Sequence, residues 1–158
     1  IQTTFTDPIG LDPSRLYSLD GLATDPAATC AGFEDSIRAL GGIDLQLLGV
    51  GRNGHIGFNE PGSSHLSRTR LIQLTETTRN DNATAFGSID LVPASALTQG
   101  IGTILEARQI ILLATGVHKA DAIAAAIQGP VTEAVPVSAL QRHPNTTVVV
   151  DAAAAQRC

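Results

Sequence analysis

An α/β fold with an open, mostly parallel sheet and flanking helices is predicted, and three observations predict it. The runs IDLQLLGV (43–50), QIILLA (109–114) and TTVVV (146–150) have the length and near-continuous aliphatic character of buried strands. Each leads into a turn and a stretch of helix-forming sequence, and alternation of strand and helix is the mark of a largely parallel sheet. No internal repeat and no low-complexity linker divides the chain, so residues 1–158 read as one doubly-wound, Rossmann-like domain.

The elements follow in order. Thr24-Asp25-Pro26 supplies a capping residue and then a proline where its missing N–H costs nothing, so a helix starts there. Cys30, Phe33, Ile37 and Leu40 recur at helical spacing, and Gly41-Gly42 ends the helix. The strand at 43–50 runs into a glycine-rich turn. Arg70 to Leu74 is a shorter strand candidate, and the polar stretch from Thr75 to Phe86 reads as a helix. Pro93 to Leu105 is expected to hold a short helix and a turn around Gly100-Ile101-Gly102. After the second strand, Thr115-Gly116 opens a helix over Val117 to Gln128, whose alanines are strong helix formers. A short helix is expected over Val137 to Gln141. The third strand ends at Asp151, which caps a final Ala-rich turn.

Composition narrows the function. Hydrophobic residues at 43% and charged residues at 16% suit a folded domain, and one Tyr, four Phe and no Trp or Met make the core aliphatic. So few aromatics leave little to stack bases on, and a net charge of -5 opposes a phosphate backbone, so nucleic acid is not an expected partner. No run approaches the roughly 20 apolar residues of a membrane span, and no targeting segment opens the chain, so a membrane is not expected either. Cys30 and Cys158 lie in no metal-ligand or CxxC spacing; Cys30 reads as a core residue, and a reducing cytoplasm is the expected compartment.

The chemistry concentrates in Gly49 to Pro61, directly after the first strand, where ligands of open α/β sheets bind. Gly51 and Gly54 let the backbone turn and approach a ligand closely. His55, with an ordinary pKa of about 6.5, can carry protons near neutral pH. Glu60, five residues on, would fix its tautomer and raise its basicity, so the two read either as an acid–base pair or, as is commoner for a lone His after a strand, as structural residues. The Gly49, Gly51, Gly54 spacing imitates a dinucleotide fingerprint, but His55, Asn59, Glu60 and Pro61 follow where a phosphate-binding helix should run. His65, His118 and His143 read as loop or capping residues. Arg68 and Arg70 either line a site or sit in a solvated loop.

The string LLGVGRNGHIGFNEPGSS (47–64) resembles the signature of the glucosamine-6-phosphate deaminases. The likeness continues through SRTR (67–70), Thr78-Arg79 with Asn82, VPASALTQGIGTI (92–104), Thr115-Gly116 with His118-Lys119, Gly129-Pro130 and SALQRHP (138–144). These landmarks keep the family's order over nearly the whole chain. The sister phosphogluconolactonases usually lack the Phe-Asn-Glu-Pro continuation at 58–61, which favours the deaminases.

The resemblance implies a small-molecule partner, an amino-sugar phosphate, converted to a keto-sugar phosphate and ammonia without metal or cofactor. His55 would open the sugar ring by carrying a proton between the ring oxygen and the anomeric hydroxyl, with Glu60 as its carboxylate partner. Asn53 stands where well-known members carry Asp; it can orient the imidazole but not offset its charge. Lys119 would hold the phosphate, helped by free N–H groups at the start of its helix, while Gly51 and Gly54 would border the substrate. Thr84 occupies the position of a second phosphate ligand, an Arg, and Arg79 is structural. Ile72 occupies the place of a Lys that serves allosteric activation, though Ser63 and Arg70 of that site remain. The family's main proton-transferring carboxylate and an N-terminal glycine turn have no counterpart in these residues. The resemblance therefore implies the C-terminal two-thirds of such an enzyme, lacking its N-terminal strands and inactive alone. It also implies a homo-oligomer or a monomer, as both occur in the family. A sugar-phosphate-binding effector module of the same fold and a non-catalytic relative are the alternatives.

Overall fold

The computed structural model describes residues 2–158. In chain order its elements are helix α1 (Pro26–Ala39), strands β1 (Leu45–Gly49) and β2 (Arg70–Gln73), helix α2 (Glu76–Phe86), strand β3 (Ser95–Thr98), helix α3 (Ile101–Leu105), strand β4 (Gln109–Ala114), helix α4 (Ala120–Gln128) and strand β5 (Thr146–Val150).

The three aliphatic runs lie side by side as one parallel sheet in the order β1-β4-β5. Leu48 aligns with Leu112, and Leu112 with Val148. Because side chains alternate along a strand, Leu48, Ile110 and Leu112 share a face. That face is buried in one cluster with Ile101 and Ile104 of α3, Ala122, Ile123 and Ala126 of α4, and Val137 and Leu140. The opposite face, which carries Leu45, Leu47, Leu113 and Val149, is 42–59% exposed at those positions.

The stretch 93–105 departs from expectation. Only Ile101–Leu105 is helical; Ser95–Thr98 is a strand, paired antiparallel to β2 with Arg70 opposite Thr98. Four residues with one β-branched side chain carry little strand signal of their own, and the pairing partner is what extends them. Gly100 begins α3 where a Cβ would come within 2.1 Å of the Ser67 carbonyl oxygen.

The segment after β4 also differs in detail. Val117–Lys119 forms a 3-10 turn before α4, and Pro136–Arg142 is a 3-10 helix, not an α-helix. Gly116 takes a φ of 88° and donates its N–H to both carboxylate oxygens of Asp151 at 3.0 Å. Asp151 also accepts from Ala154 N–H at 2.8 Å, as its capping role requires, so one carboxylate ties the ends of β4 and β5 together. Cys30 is buried, Cys158 is exposed, and both are free thiols. Among the described residues, no helix is long and apolar enough to cross a membrane.

Candidate active site

The loop after β1 is held on both sides, which fixes where its side chains stand. Asn59 is fully buried; its amide donates to Ile56 O at 2.9 Å and Gln99 O at 2.8 Å, and its oxygen accepts from Arg70 Nη1 at 2.8 Å. Phe58 N–H donates to Thr98 Oγ1 at 2.9 Å. The loop is thus pinned to β2 and β3. Arg70 also donates to Ser63 Oγ at 3.0 Å, so it is part of this frame and not solvated.

Within that frame His55, Asn53 and Glu60 form a chain. His55 Nδ1 lies 2.7 Å from Asn53 Oδ1, while Asn53 Nδ2 donates to Glu60 Oε2 at 2.9 Å. An amide oxygen only accepts, so Nδ1 carries the proton and Nε2 keeps its lone pair. Glu60 Oε2 stands beside His55 at 3.8 Å from Nδ1, within ion-pair distance but beyond a hydrogen bond, and Asn53 bridges the two. Glu60 is itself occupied, since its Oε1 accepts from Thr75 N at 3.3 Å and Thr75 Oγ1 at 3.1 Å at the start of α2. Burial raises the Glu60 pKa, but hydrogen bonds from the Thr78 hydroxyl, Asn53 and the Thr75 N–H outweigh it and hold the carboxyl below its ordinary value. Burial lowers the His55 pKa; the Glu60 charge opposes that, and Lys119 adds to it.

A cleft of about 370 Å³ opens over the ring, bordered by Gly51, His55, Gly57, Asp81, Asn82 and Lys119 among others. Gly51 is there of necessity: a Cβ would fall 2.1 Å from His55 Cε1. Gly54 is buried behind this wall. Its φ is +83°, a Cβ would meet Val135 Cγ1 at 2.8 Å, and its carbonyl accepts from Val137 N–H at 2.8 Å, so it shapes the loop. Lys119 is half-buried at the cleft, and burial lowers its pKa. Of the amides at the start of its helix, Gly116 N–H is taken by Asp151.

Two residues at this site escaped the sequence reading. Asp81 lines the cleft from α2, and Arg52 of the loop pairs with Asp81, with Nε 3.2 Å from Asp81 Oδ2 and a second contact from Nη2 to Oδ1. The available signal was the cation next to Asn53 and the acid one helical turn before Thr84. Thr84 is exposed on α2, and Arg79 donates to the Ile89 and Val92 carbonyls at 3.0 and 3.2 Å, a structural role as expected. A larger cleft of about 600 Å³ lies away from this chemistry, between α1 and β2, bordered by Cys30, Glu34, Arg68 and Arg70 among others. Among the described residues no group of three or more His, Cys, Asp or Glu is placed to hold a metal.

Comparison with known proteins gives the chain its relatives. The sequence matches the family described as glucosamine-6-phosphate isomerases/6-phosphogluconolactonase over residues 1–149. It is 55% identical over 155 residues to a glucosamine-6-phosphate deaminase of Pseudarthrobacter chlorophenolicus, covering 98% of this chain and 60% of the relative. It is 56% identical over 152 residues to one of Streptomyces coelicolor, covering 96% of this chain and 58% of the relative. A solved monomeric glucosamine-6-phosphate deaminase superposes with a TM-score of 0.91 at 48% identity, over 94% of this chain and 61% of that one. The chain thus spans about 60% of the length of the relatives it matches.

Proposed function

Because the chain belongs to the family of glucosamine-6-phosphate isomerases and 6-phosphogluconolactonases, we propose that the protein carrying it converts glucosamine 6-phosphate to fructose 6-phosphate and ammonia. Relatives at 55% and 56% identity bear the deaminase name. The observation that carries the reading is the His55 ring on the cleft wall, with Nδ1–H held by Asn53 and the Nε2 lone pair free to work.

His55 is the ring-opening residue in this reading. A neutral imidazole takes the proton of the anomeric hydroxyl at Nε2. As the bond between the anomeric carbon and the ring oxygen breaks, the imidazolium returns that proton to the ring oxygen. The Asn53 oxygen keeps the tautomer that this transfer needs. Glu60 acts through Asn53 and does not touch the sugar, so it is a positioning residue. Lys119, on the same cleft, receives the phosphate as a point charge. Transfer of a proton between C2 and C1 is assigned to no residue of this chain, because both Glu60 oxygens are already engaged. Action in the cytoplasm as one sugar-phosphate-converting domain completes the proposal.

Ammonia and fructose 6-phosphate should be measured on the purified product of the complete reading frame that contains this chain, with glucosamine 6-phosphate supplied. Stoichiometric release of both is expected. Binding of the sugar phosphate without ammonia release would replace the enzyme reading with an effector module.

A further inference from the structure

Arg52 and Asp81 have no part in the chemistry above, yet they join the loop that holds His55 to α2 across the cleft. Asp81 lines that cleft together with His55 and Lys119. A carboxylate on the wall of a site for a phosphate is unfavourable unless a cation masks it. Arg52 supplies the cation, with two nitrogens of its guanidinium on the two carboxylate oxygens. Asp81 and Arg52 both act electrostatically on the Lys119 amine, with opposite signs, so the three charges form one group.

We propose that Arg52 is the second phosphate-binding residue of this site, held by Asp81 while the cleft is empty and transferred to the phosphate when the substrate enters. The inference rests on the sugar-phosphate reading above. Three observations lead to it. The first is that α2 sends no cation into the cleft. Its one basic residue, Arg79, is committed to the Ile89 and Val92 carbonyls, and Thr84 is uncharged. The second is position. Asp81 and Thr84 are three residues apart on α2 and share a helical face. Arg52 therefore brings its guanidinium to within one turn of Thr84, from the loop and not from the helix. The third is the weakness of the existing contact. The Arg52 and Asp81 side chains are 50% and 26% exposed, and ion pairs so open to water hold loosely. A phosphate presents the same fork-matching oxygens with more charge, so it competes well for a guanidinium.

The alternative is that the pair is only a staple between loop and helix, and the two ideas predict different signs. Inorganic phosphate should be titrated by calorimetry into the product of the complete reading frame and into Arg52→Ala, Arg52→Lys and Asp81→Asn. Arg52→Ala should weaken phosphate binding about tenfold, the usual effect of one lost charge-assisted bond. Asp81→Asn should tighten it about threefold, because the competitor for Arg52 is gone. Arg52→Lys should recover part of the loss, as a charge without the fork. In turnover of glucosamine 6-phosphate, Arg52→Ala should raise KM more than it lowers kcat. A staple would make Arg52→Ala and Asp81→Asn change together, in the same direction. That result, or unchanged phosphate affinity in Arg52→Ala, or no saturable phosphate binding by the unmodified protein, overturns the inference. Antagonistic effects of the two substitutions without any ammonia release would leave Arg52 as a phosphate ligand and remove the deaminase reading instead.

Discussion

At the scale of single residues, the proposed function turns on one proton on one nitrogen. Asn53 can only accept at Oδ1, so His55 carries its proton at Nδ1 and presents a basic Nε2. Burial depresses the His55 pKa, so the neutral form persists below the ordinary 6.5. The acid limb of kcat/KM should therefore have its midpoint under 6.5. Asn53→Asp would set a negative charge against Nδ1–H and move that midpoint upward. A limb at or above 6.5 in the unmodified protein, or one that ignores Asn53→Asp, would remove His55 as the titrating base. His55→Gln should lower turnover on the cyclic sugar by roughly 10²–10⁴-fold, and the loss should shrink on an acyclic substrate. His55, Glu60 and Gly51 stood out because a glycine-rich turn after an aliphatic strand marks ligand sites in such sheets, whereas Asn53 and Lys119 stood out only through the family resemblance. That Asn53 bridges His55 and Glu60 was not legible, since a separation of five residues in sequence says nothing about whether 3.8 Å or 2.8 Å divides two side chains. Arg52 and Asp81 were illegible for a related reason: their partnership spans 29 residues and depends on how α2 lies over the loop.

At the scale of elements, the aliphatic strands were readable and the polar joints between elements were not. Helix α1 shows why. Its predicted apolar stripe holds only in part, with Cys30 buried and Leu40 63% exposed. The residue buried one turn after Cys30 is Glu34, a carboxylate that composition alone would place in water. Glu34 accepts from Thr69 N at 2.9 Å, Thr69 Oγ1 at 2.5 Å and Thr103 Oγ1 at 2.6 Å, and from Arg68 Nη2 at 2.6 Å. Arg68 in turn donates to Glu106 at 2.6 Å, so this exposed side chain also serves as a joint between elements. One carboxylate thus locks α1, the 67–69 turn and α3 together. Burial pushes its pKa up, but those hydrogen bonds prevail and hold it at about 2, against 4.5 for a free glutamate. A depressed folded pKa means that the stabilisation is complete above pH 4.5 and is lost as pH falls toward 2. The shift corresponds to roughly 3 kcal/mol. Glu34→Gln should cost about that much at pH 7 in urea denaturation and flatten the stability loss between pH 4.5 and 2. A variant as stable as the parent at pH 7 would show that the network is packing ornament and not a joint.

At the scale of the whole molecule, the two faces of the parallel sheet are unequal. One is closed by α3, α4 and the 3-10 helix at 136–142. The other leaves Leu45 52%, Leu47 59%, Leu113 42% and Val149 49% exposed, on neighbouring strands and on the same side. Large contiguous apolar surface of this kind drives association in water, and burying it is favourable at about 25 cal/mol per Å². The sequence could not announce this asymmetry, because a run such as QIILLA reads as buried whether one face or both are covered. A 158-residue polypeptide of this sequence should therefore self-associate in a concentration-dependent way through the face that holds Leu47 and Leu113. Sedimentation velocity over a hundredfold range of concentration reads the effect directly. The double substitution Leu47→Glu and Leu113→Glu should return the polypeptide to a monomer, since it places two carboxylates on that face and leaves Leu48 and Leu112 in the core. Far-ultraviolet circular dichroism on the same samples checks that the fold survives the change. A polypeptide that stays monomeric with both leucines in place, or an association untouched by the double substitution, would show that this face is not what drives contact. The association would then have to be sought elsewhere, at the free edges of β1 and β5, where unpaired backbone groups offer the other route to self-pairing.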